Sequence, residues 1–310
     1  MLKLNDKYTI PECWEELSPE QFVKIIDLIE KFITGKLILS EVQLHIVYAL
    51  LGVRPYDPGN TLLCENLFRI AEKTTFPFKY VYSDERFLKL SEKAQNYLKK
   101  HLPSPDSEDP EIRIAAAFKI QIDIDLYMCR QLLPVLPGTN FQGYSFCVKN
   151  GFIETSLTAE QYLDANTVLG EFKGSNPEVL DSLISILYPS AGSNPQILSK
   201  LPKSVKMAVY YNYISILEWL SSLSKYAPIF SKNKSRANKL SVGNSGMLYH
   251  LSEKGYGSLN EVSGYNLCSF LDILLKQTID SVMQLHSLKK KREEIAKELS
   301  LTIDQINSII

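Results

Sequence analysis

The sequence predicts a mainly α fold: an irregular multi-helix protein with a small antiparallel β element, a hairpin near 144–155. Three observations carry this. Ser/Thr-x-x-Gln boxes stand at Ser18/Gln21, Ser40/Gln43, Thr158/Gln161 and Thr302/Gln305. In such a box the hydroxyl accepts the amide three residues on, and the Gln reaches back to the cap's own N–H. Behind the first box, Phe22, Ile25, Ile26, Ile29, Phe32 and Ile33 recur at helical spacing, a face apolar enough to need burial. The clearest strand signal surrounds Asn150-Gly151, a pair suited to a type I′ turn, with Phe146 and Val148 alternating before it.

The elements follow in order. Pro19 suits the first position of the first helix, and Gly35 stops it. Helices are expected at 41–51, closed by Gly52, and at 61–73 after a Pro/Gly loop. The aromatic run 76–82 suits a short strand, and a helix at 84–101 follows. In 118–126, Phe118, Ile120, Ile122, Ile124 and Leu126 alternate with polar residues, which argues for strand. Yet Asp109-Pro110-Glu111 and Ala115-Ala116-Ala117 favour helix, so a helix is expected through Ala117 and the sequence leaves the rest open between strand and helix. Helices at 159–172, 177–187 and 203–226 come next, then one long helix at 266–299 and a short one at 302–310.

Composition shifts divide the chain into a helical domain at 1–102, a linker at 103–110, a central helical domain with the hairpin at 111–230, a flexible loop at 231–263 and C-terminal helices at 264–310. The linker is acidic, Pro-rich and free of apolar residues. The loop is rich in Ser, Asn, Gly and Lys and is expected to hold one short helix.

With 310 residues, 45% apolar and 22% charged, a sizeable core can form. The net charge of −1 gives no global field that would steer nucleic acid or a membrane. It hides an asymmetry: residues 200–310 hold 15 Lys and Arg against 9 Asp and Glu, and residues 1–199 hold 19 against 26. Five scattered cysteines argue for a reducing compartment and against a disulfide framework. No apolar run opens the chain as a signal peptide would, and the apolar stretch 205–223 contains Lys206 and Glu218, so a cytoplasmic protein is expected.

Each chemical motif lacks a part. Gly138 and Gly143 have phosphate-loop spacing, but Tyr144 stands where a working loop needs Lys. Gly255 and Gly257 begin a dinucleotide fingerprint that lacks its third glycine. His45, His101, His250 and His286 are not spaced for zinc. Asp123/Asp125, Asp164/Glu171 and His250/Glu253 read as solvated pairs. The sequence therefore predicts no catalytic residues, no metal and no cofactor.

Two kinds of interaction residue remain. Trp14, Phe22, Tyr210, Tyr211 and Tyr213 are candidate partner anchors, since aromatic residues dominate interface energetics; core packing is the competing reading. Lys289, Lys290, Lys291 and Arg292 are candidate nucleic-acid contacts, with Lys232, Lys234, Arg236 and Lys239 a second basic segment. Residues 292–307 have the pattern of a helix-turn-helix: Ala296, then Leu299, a tight turn, a Thr302 cap and Ile306 as packing residue. The second helix, however, carries Asp304 and neither Lys nor Arg. A helical hairpin that packs internally or on a partner competes with DNA binding.

Three stretches resemble a family. Residues 10–22 (Ile10-Pro11-Glu12-Cys13-Trp14 through Phe22) resemble the opening of proteins encoded in Bacteroidetes phages and prophages beside tail genes. Leu157-Thr158-Ala159-Glu160-Gln161-Tyr162-Leu163-Asp164-Ala165-Asn166, followed by Leu183-Ile184-Ser185-Ile186-Leu187-Tyr188-Pro189, is similar to their middle section. Gly257-Ser258-Leu259-Asn260-Glu261-Val262 resembles their C-terminal part. The resemblance implies a tail-associated, assembly chaperone-like protein with no known catalytic residues. The expected function is thus a non-enzymatic interaction with other proteins in phage tail or particle assembly. A nucleic-acid-associated regulator acting through 289–310 is the alternative.

Overall fold

The computed structural model describes all residues except 1, 4–8, 53–60, 175 and 231–244. Among these the fold is mainly α, with sixteen α-helices and three two-stranded antiparallel sheets. The chain forms two compact units, Met1–Tyr127 and Met128–Ile310.

The first unit opens with β1 (Leu2–Lys3) paired to β2 (Thr9–Ile10), then a 3₁₀ turn at Trp14–Glu16. Helices α1 (Pro19–Ile33), α2 (Leu39–Leu51) and α3 (Thr61–Lys73) pack in sequence. The face read from the sequence is the one buried: Phe22, Ile25, Ile26 and Ile29. Trp14 is buried edge-on against Phe22 and Phe76, and its indole N–H donates to the Asp125 carbonyl at 2.6 Å.

Strand β3 (Phe78–Tyr82) pairs with β4 (Ile120–Ile124) over five positions, from Phe78↔Ile124 to Tyr82↔Ile120. Within the alternating stretch 118–126, residues 120–124 are therefore a strand. Phe78, Tyr80, Ile122 and Ile124 share its inner face, while Lys79 pairs with Asp123 on the outer one. Between the strands lie a 3₁₀ turn at Glu85–Lys89, α4 (Glu92–Leu98) and α5 (Pro110–Ala115). The expected continuous helix at 84–101 is broken at Leu90–Ser91, because the Ser91 hydroxyl caps α4 at Ala94 and its own N–H is held by Glu111.

The β3–β4 ladder also moves the boundary. Residues 103–110 connect two elements of one unit and separate no domains; the division falls after β4, between Tyr127 and Met128. Residues 128–230 and 264–310 lie in one compact unit. Leu267 N–H donates to Leu157 O at 2.7 Å, and Ala159 N–H to Tyr265 O at 2.8 Å, within the second unit.

That unit is built on a stretch without regular structure. Met128, Leu132, Leu133 and Leu136 are buried in residues 128–136. Buried peptide groups need partners, and here side chains supply several of them. Asn212 of α10 (Lys203–Ser222), 1% exposed, accepts the Leu132 N–H at 2.9 Å and donates to Arg130 O at 3.0 Å. The Tyr188 hydroxyl donates to Leu133 O at 2.6 Å. The loop that follows carries the two glycines with phosphate-loop spacing. Gly138 adopts a left-handed φ of 78°, and a Cβ at Gly143 would meet the Tyr188 ring at 2.6 Å. Both glycines thus have steric explanations.

Strands β5 (Phe146–Lys149) and β6 (Phe152–Thr155) form the expected hairpin, with Asn150 at φ 51° and Gly151 at φ 79° as a type I′ turn requires. Helices α6 (Ala159–Glu171), α7 (Pro177–Leu187), α8 (Pro189–Gly192) and α9 (Pro195–Lys200) lead to α10 and α11 (Ala227–Phe230). Between α7 and α10, the buried Lys206 pairs with Asp181 at 2.5 Å. Part of the predicted 231–263 loop is helical: α12 (Ser245–Glu253) and α13 (Leu259–Ser263), the latter capped by a Ser258/Glu261 box. Its segment 231–244, with Lys232, Lys234, Arg236 and Lys239, lies outside the described residues.

Three of the four expected boxes form. Ser40 instead lies inside α2, which starts earlier because the Glu41 carboxylate accepts the Ile38 N–H at 2.9 Å. In two boxes the Gln does a second job. Gln21 accepts from Ser18 N–H and donates to Leu50 O at 3.1 Å, near the end of α2. Gln161 accepts from Thr158 N–H and donates to Ile186 O at 2.9 Å, near the end of α7. A Glu would cap as well but would set a carboxylate against a carbonyl.

Two outcomes follow. Asn212→Ala removes the Asn212 hydrogen bonds to the Leu132 amide and the Arg130 carbonyl and should lower stability by about 2–4 kcal/mol in urea unfolding. Gln161→Glu should cost about 1 kcal/mol while Gln305→Glu, whose side chain serves only its own cap, should be near neutral.

Candidate functional site

The structure sorts the aromatic candidates by exposure. Trp14 and Phe22 are buried in the first unit, and Tyr213 is wholly buried in the second. These three cannot meet a partner, because the chain's own core surrounds them. Tyr210 and Tyr211 are half-buried on α10; Tyr210 packs at 4.5 Å on Phe172 and at 5.2 Å on Tyr211.

Among the described residues Phe68, Tyr97, Tyr127, Tyr249 and Phe152 are exposed aromatics, and Phe152, at 75%, is the most exposed. Its position follows from the turn. With two residues in the loop, Lys149 faces Phe152 across the ladder, and Val148 faces Ile153. Phe146, Val148, Ile153 and Thr155 share one face, and Phe146 is buried against Trp219, ring centroids 6.0 Å apart. Phe152 and Lys149 point the opposite way, beside the Lys149–Glu154 ion pair at 2.6 Å. The base is fixed: Gln131 N–H donates to Phe146 O at 2.7 Å, and Thr155 Oγ1 donates to Ser145 O at 2.9 Å. The strand parity after Asn150-Gly151 carries this information, and the list of aromatic candidates passed it over.

The second candidate surface is C-terminal. The long helix expected at 266–299 is two helices, α14 (Leu267–Ser287) and α15 (Arg292–Leu299). Lys289 has φ 58°, its N–H donates to His286 O, and the Lys290 N–H reaches back to Leu285 O. This paired closure ends a helix at a left-handed residue. The cations Lys289 to Lys291 therefore form a turn, and Arg292 opens α15.

After α15, Ser300 takes φ 55°, Thr302 caps, and α16 (Ile303–Asn307) follows. Ile295, Ala296, Leu301 and Ile306 are buried together with Val282 of α14, with Leu299 packed against them. This is the helix-turn-helix arrangement read from the sequence, with its left-handed turn at a serine. Lys290 is paired with Glu298, and the Arg292 Nη1 donates to Asn307 Oδ1 at 2.9 Å. Lys289, Lys291 and Arg292 are exposed.

The titratable pairs noted in the sequence do not converge on one place. Asp123 pairs with Lys79 on a strand face, and Asp164 and Glu171 are exposed on α6. His101 stacks on Tyr97 at 4.6 Å, and burial pushes its pKa down. A further cluster escaped the sequence reading: Asp272 of α14 accepts from the Tyr226 hydroxyl at 2.9 Å and pairs with Lys225 at 2.6 Å, fastening α14 to the end of α10. Burial raises the Tyr226 hydroxyl well above its ordinary range and also raises the neighbouring Cys268 thiol. These shifts fit a structural tie. Among the described residues no group of three or more His, Cys, Asp and Glu is placed to hold a metal, and no helix is long and apolar enough to cross a membrane.

Comparison with protein-family models, curated proteins and solved structures gives no match for this chain.

The left-handed Ser300 is strained for a residue with a Cβ, so Ser300→Gly should stabilise the C-terminal helices by about 0.5–1 kcal/mol. Ser300→Val should destabilise them by more; thermal melts of both variants check the sign.

Proposed function

We propose that this chain is a non-enzymatic binding protein that engages other proteins during phage tail or particle assembly, in the host cytoplasm. One observation supports the binding role above the others: a phenylalanine three-quarters exposed at the apex of a hairpin whose base is anchored in the core. An aromatic held on a rigid hairpin offers a large contact area with little ordering left to lose on binding. The half-buried Tyr210 and Tyr211 are secondary contacts. The assembly context rests on the resemblance of residues 10–22, the 157–189 region and 257–262 to proteins encoded beside phage tail genes.

The test uses the whole chain expressed with its neighbouring genes. A photo-crosslinking residue at position 152 should join it to a structural component of the particle. Phe152→Asp should weaken capture of that component by roughly 30-fold, the effect of an anchor of about 2 kcal/mol. Its melting temperature should stay unchanged, since the side chain lies outside the core. Crosslinks only to metabolic enzymes, or capture unaffected by Phe152→Asp, would overturn the reading.

A further inference from the structure

We propose that the C-terminal three-helix module binds duplex DNA, mainly through its phosphates, with the exposed side of α16 lying along the major groove. This rests on different residues from the hairpin reading and stands or falls apart from it.

The argument begins with geometry. A DNA-binding helix-turn-helix needs a first helix, a tight turn with a residue in a left-handed conformation, and a second helix locked at a fixed angle by a small apolar core. Here α15, Ser300 and α16 supply these parts. Ile295, Ala296, Leu301 and Ile306 close the core, and α14 braces it through Val282. The first helix of such a pair crosses the DNA backbone and the second enters the groove.

Charge placement is the second step. Residues 288–310 carry five Lys and Arg against four Asp and Glu, so net charge alone attracts little. What matters is where the cations face. The Arg292–Asn307 contact at 2.9 Å puts the start of α15 and the exposed side of α16 on one surface. Lys291 and Lys289 immediately precede Arg292 and are exposed. Arg292 carries five N–H donors, and the Asn307 contact takes one of them. Lys290 is turned away into its pair with Glu298. Three cations thus border the helix that would enter the groove.

The second helix limits what kind of binding results. Its exposed side carries Ile303, Asp304, Asn307 and Ser308 and no cation. Bidentate recognition of guanine by Arg or Lys is therefore absent from it, and Asp304, one turn from Asn307, repels phosphate. Backbone contacts dominate such binding, and sequence preference is low.

Fluorescence anisotropy of the full chain with a labelled mixed-sequence duplex of about 30 base pairs tests this, with the duplex itself as the probe. Three phosphate contacts predict a slope near −2.7 in log affinity against log salt, a loss of roughly 40-fold from about 50 to 200 mM salt. The variant Lys289→Asn/Lys291→Gln/Arg292→Gln should flatten that slope toward zero while its circular-dichroism melt is retained; Asn suits the left-handed position. Asp304→Asn should tighten binding, a gain that an unfolded module could not produce. No binding at low salt, an unchanged slope in the triple variant, or no gain from Asp304→Asn overturns the proposal. The first of these results would return the module to the role of a packed helical hairpin.

Discussion

The second unit depends on how one irregular stretch keeps its peptide groups satisfied while buried. Met128, Leu132, Leu133 and Leu136 bury much of residues 128–136 in the core, and only a bridge at Val135–Gln142 and a few backbone bonds pair the stretch. A buried amide without a partner costs about 1–3 kcal/mol, so several together would exceed what a domain this size has to spare. Asn212 accepts from Leu132 and donates to Arg130 from the middle of α10. Tyr188, just past the end of α7, donates to Leu133. The Leu133 N–H in turn donates to the segment's own Gln131 Oε1 at 3.2 Å, so three side chains complete this backbone, and those of Asn212 and Tyr188 fix α10 and the end of α7 to the segment. The buried Lys206 pairs with the partly exposed Asp181 across the same two helices, and removing Asp181 would leave a buried cation unpaired.

The candidate binding element inherits its rigidity from that arrangement. Gln131 lies within the segment and donates to the Phe146 carbonyl, and Trp219 of α10 packs on the Phe146 ring. The hairpin is therefore held at its base by the parts that Asn212 and Tyr188 align, while its apex projects Phe152. A scaffold that is rigid at the root and apolar at the tip suits recognition of a protein surface. The C-terminal module is organised differently. Its small core closes around a left-handed serine, and three of its exposed cations, Lys289, Lys291 and Arg292, lie at the turn between α14 and α15.

Much of this was legible in the residues, and the exceptions have physical causes. Periodicity and capping marked the mainly α class, the first helix and the hairpin, because these depend on neighbours within a few positions. The strand at 120–124 remained open since its partner, 78–82, lies some forty residues away, and only pairing resolves period two against an alanine-rich start. The same distant pairing turned an apparent linker at 103–110 into an internal connection. The break at Lys289 escaped because lysine is a good helix former, and the left-handed φ there is imposed by the packing of α15 on α14. Trp14, Phe22 and Tyr213 illustrate the limit for sites: residue type makes an aromatic a candidate anchor, and burial alone decides whether it is one. Asn212 could not be singled out, since nothing local distinguishes a polar residue that completes a distant backbone from one that faces water.

The most direct measurement of the central claim is amide hydrogen exchange at Leu132 and Leu133, followed residue by residue. If side chains complete the backbone of this segment, both amides exchange as slowly as those in the middle of α10 and are released with them in a single unfolding event. Exchange at the rate of an exposed loop, with α10 still protected, would contradict the account. The segment would then lie against the core without being part of it, and the hairpin would lose the footing described here.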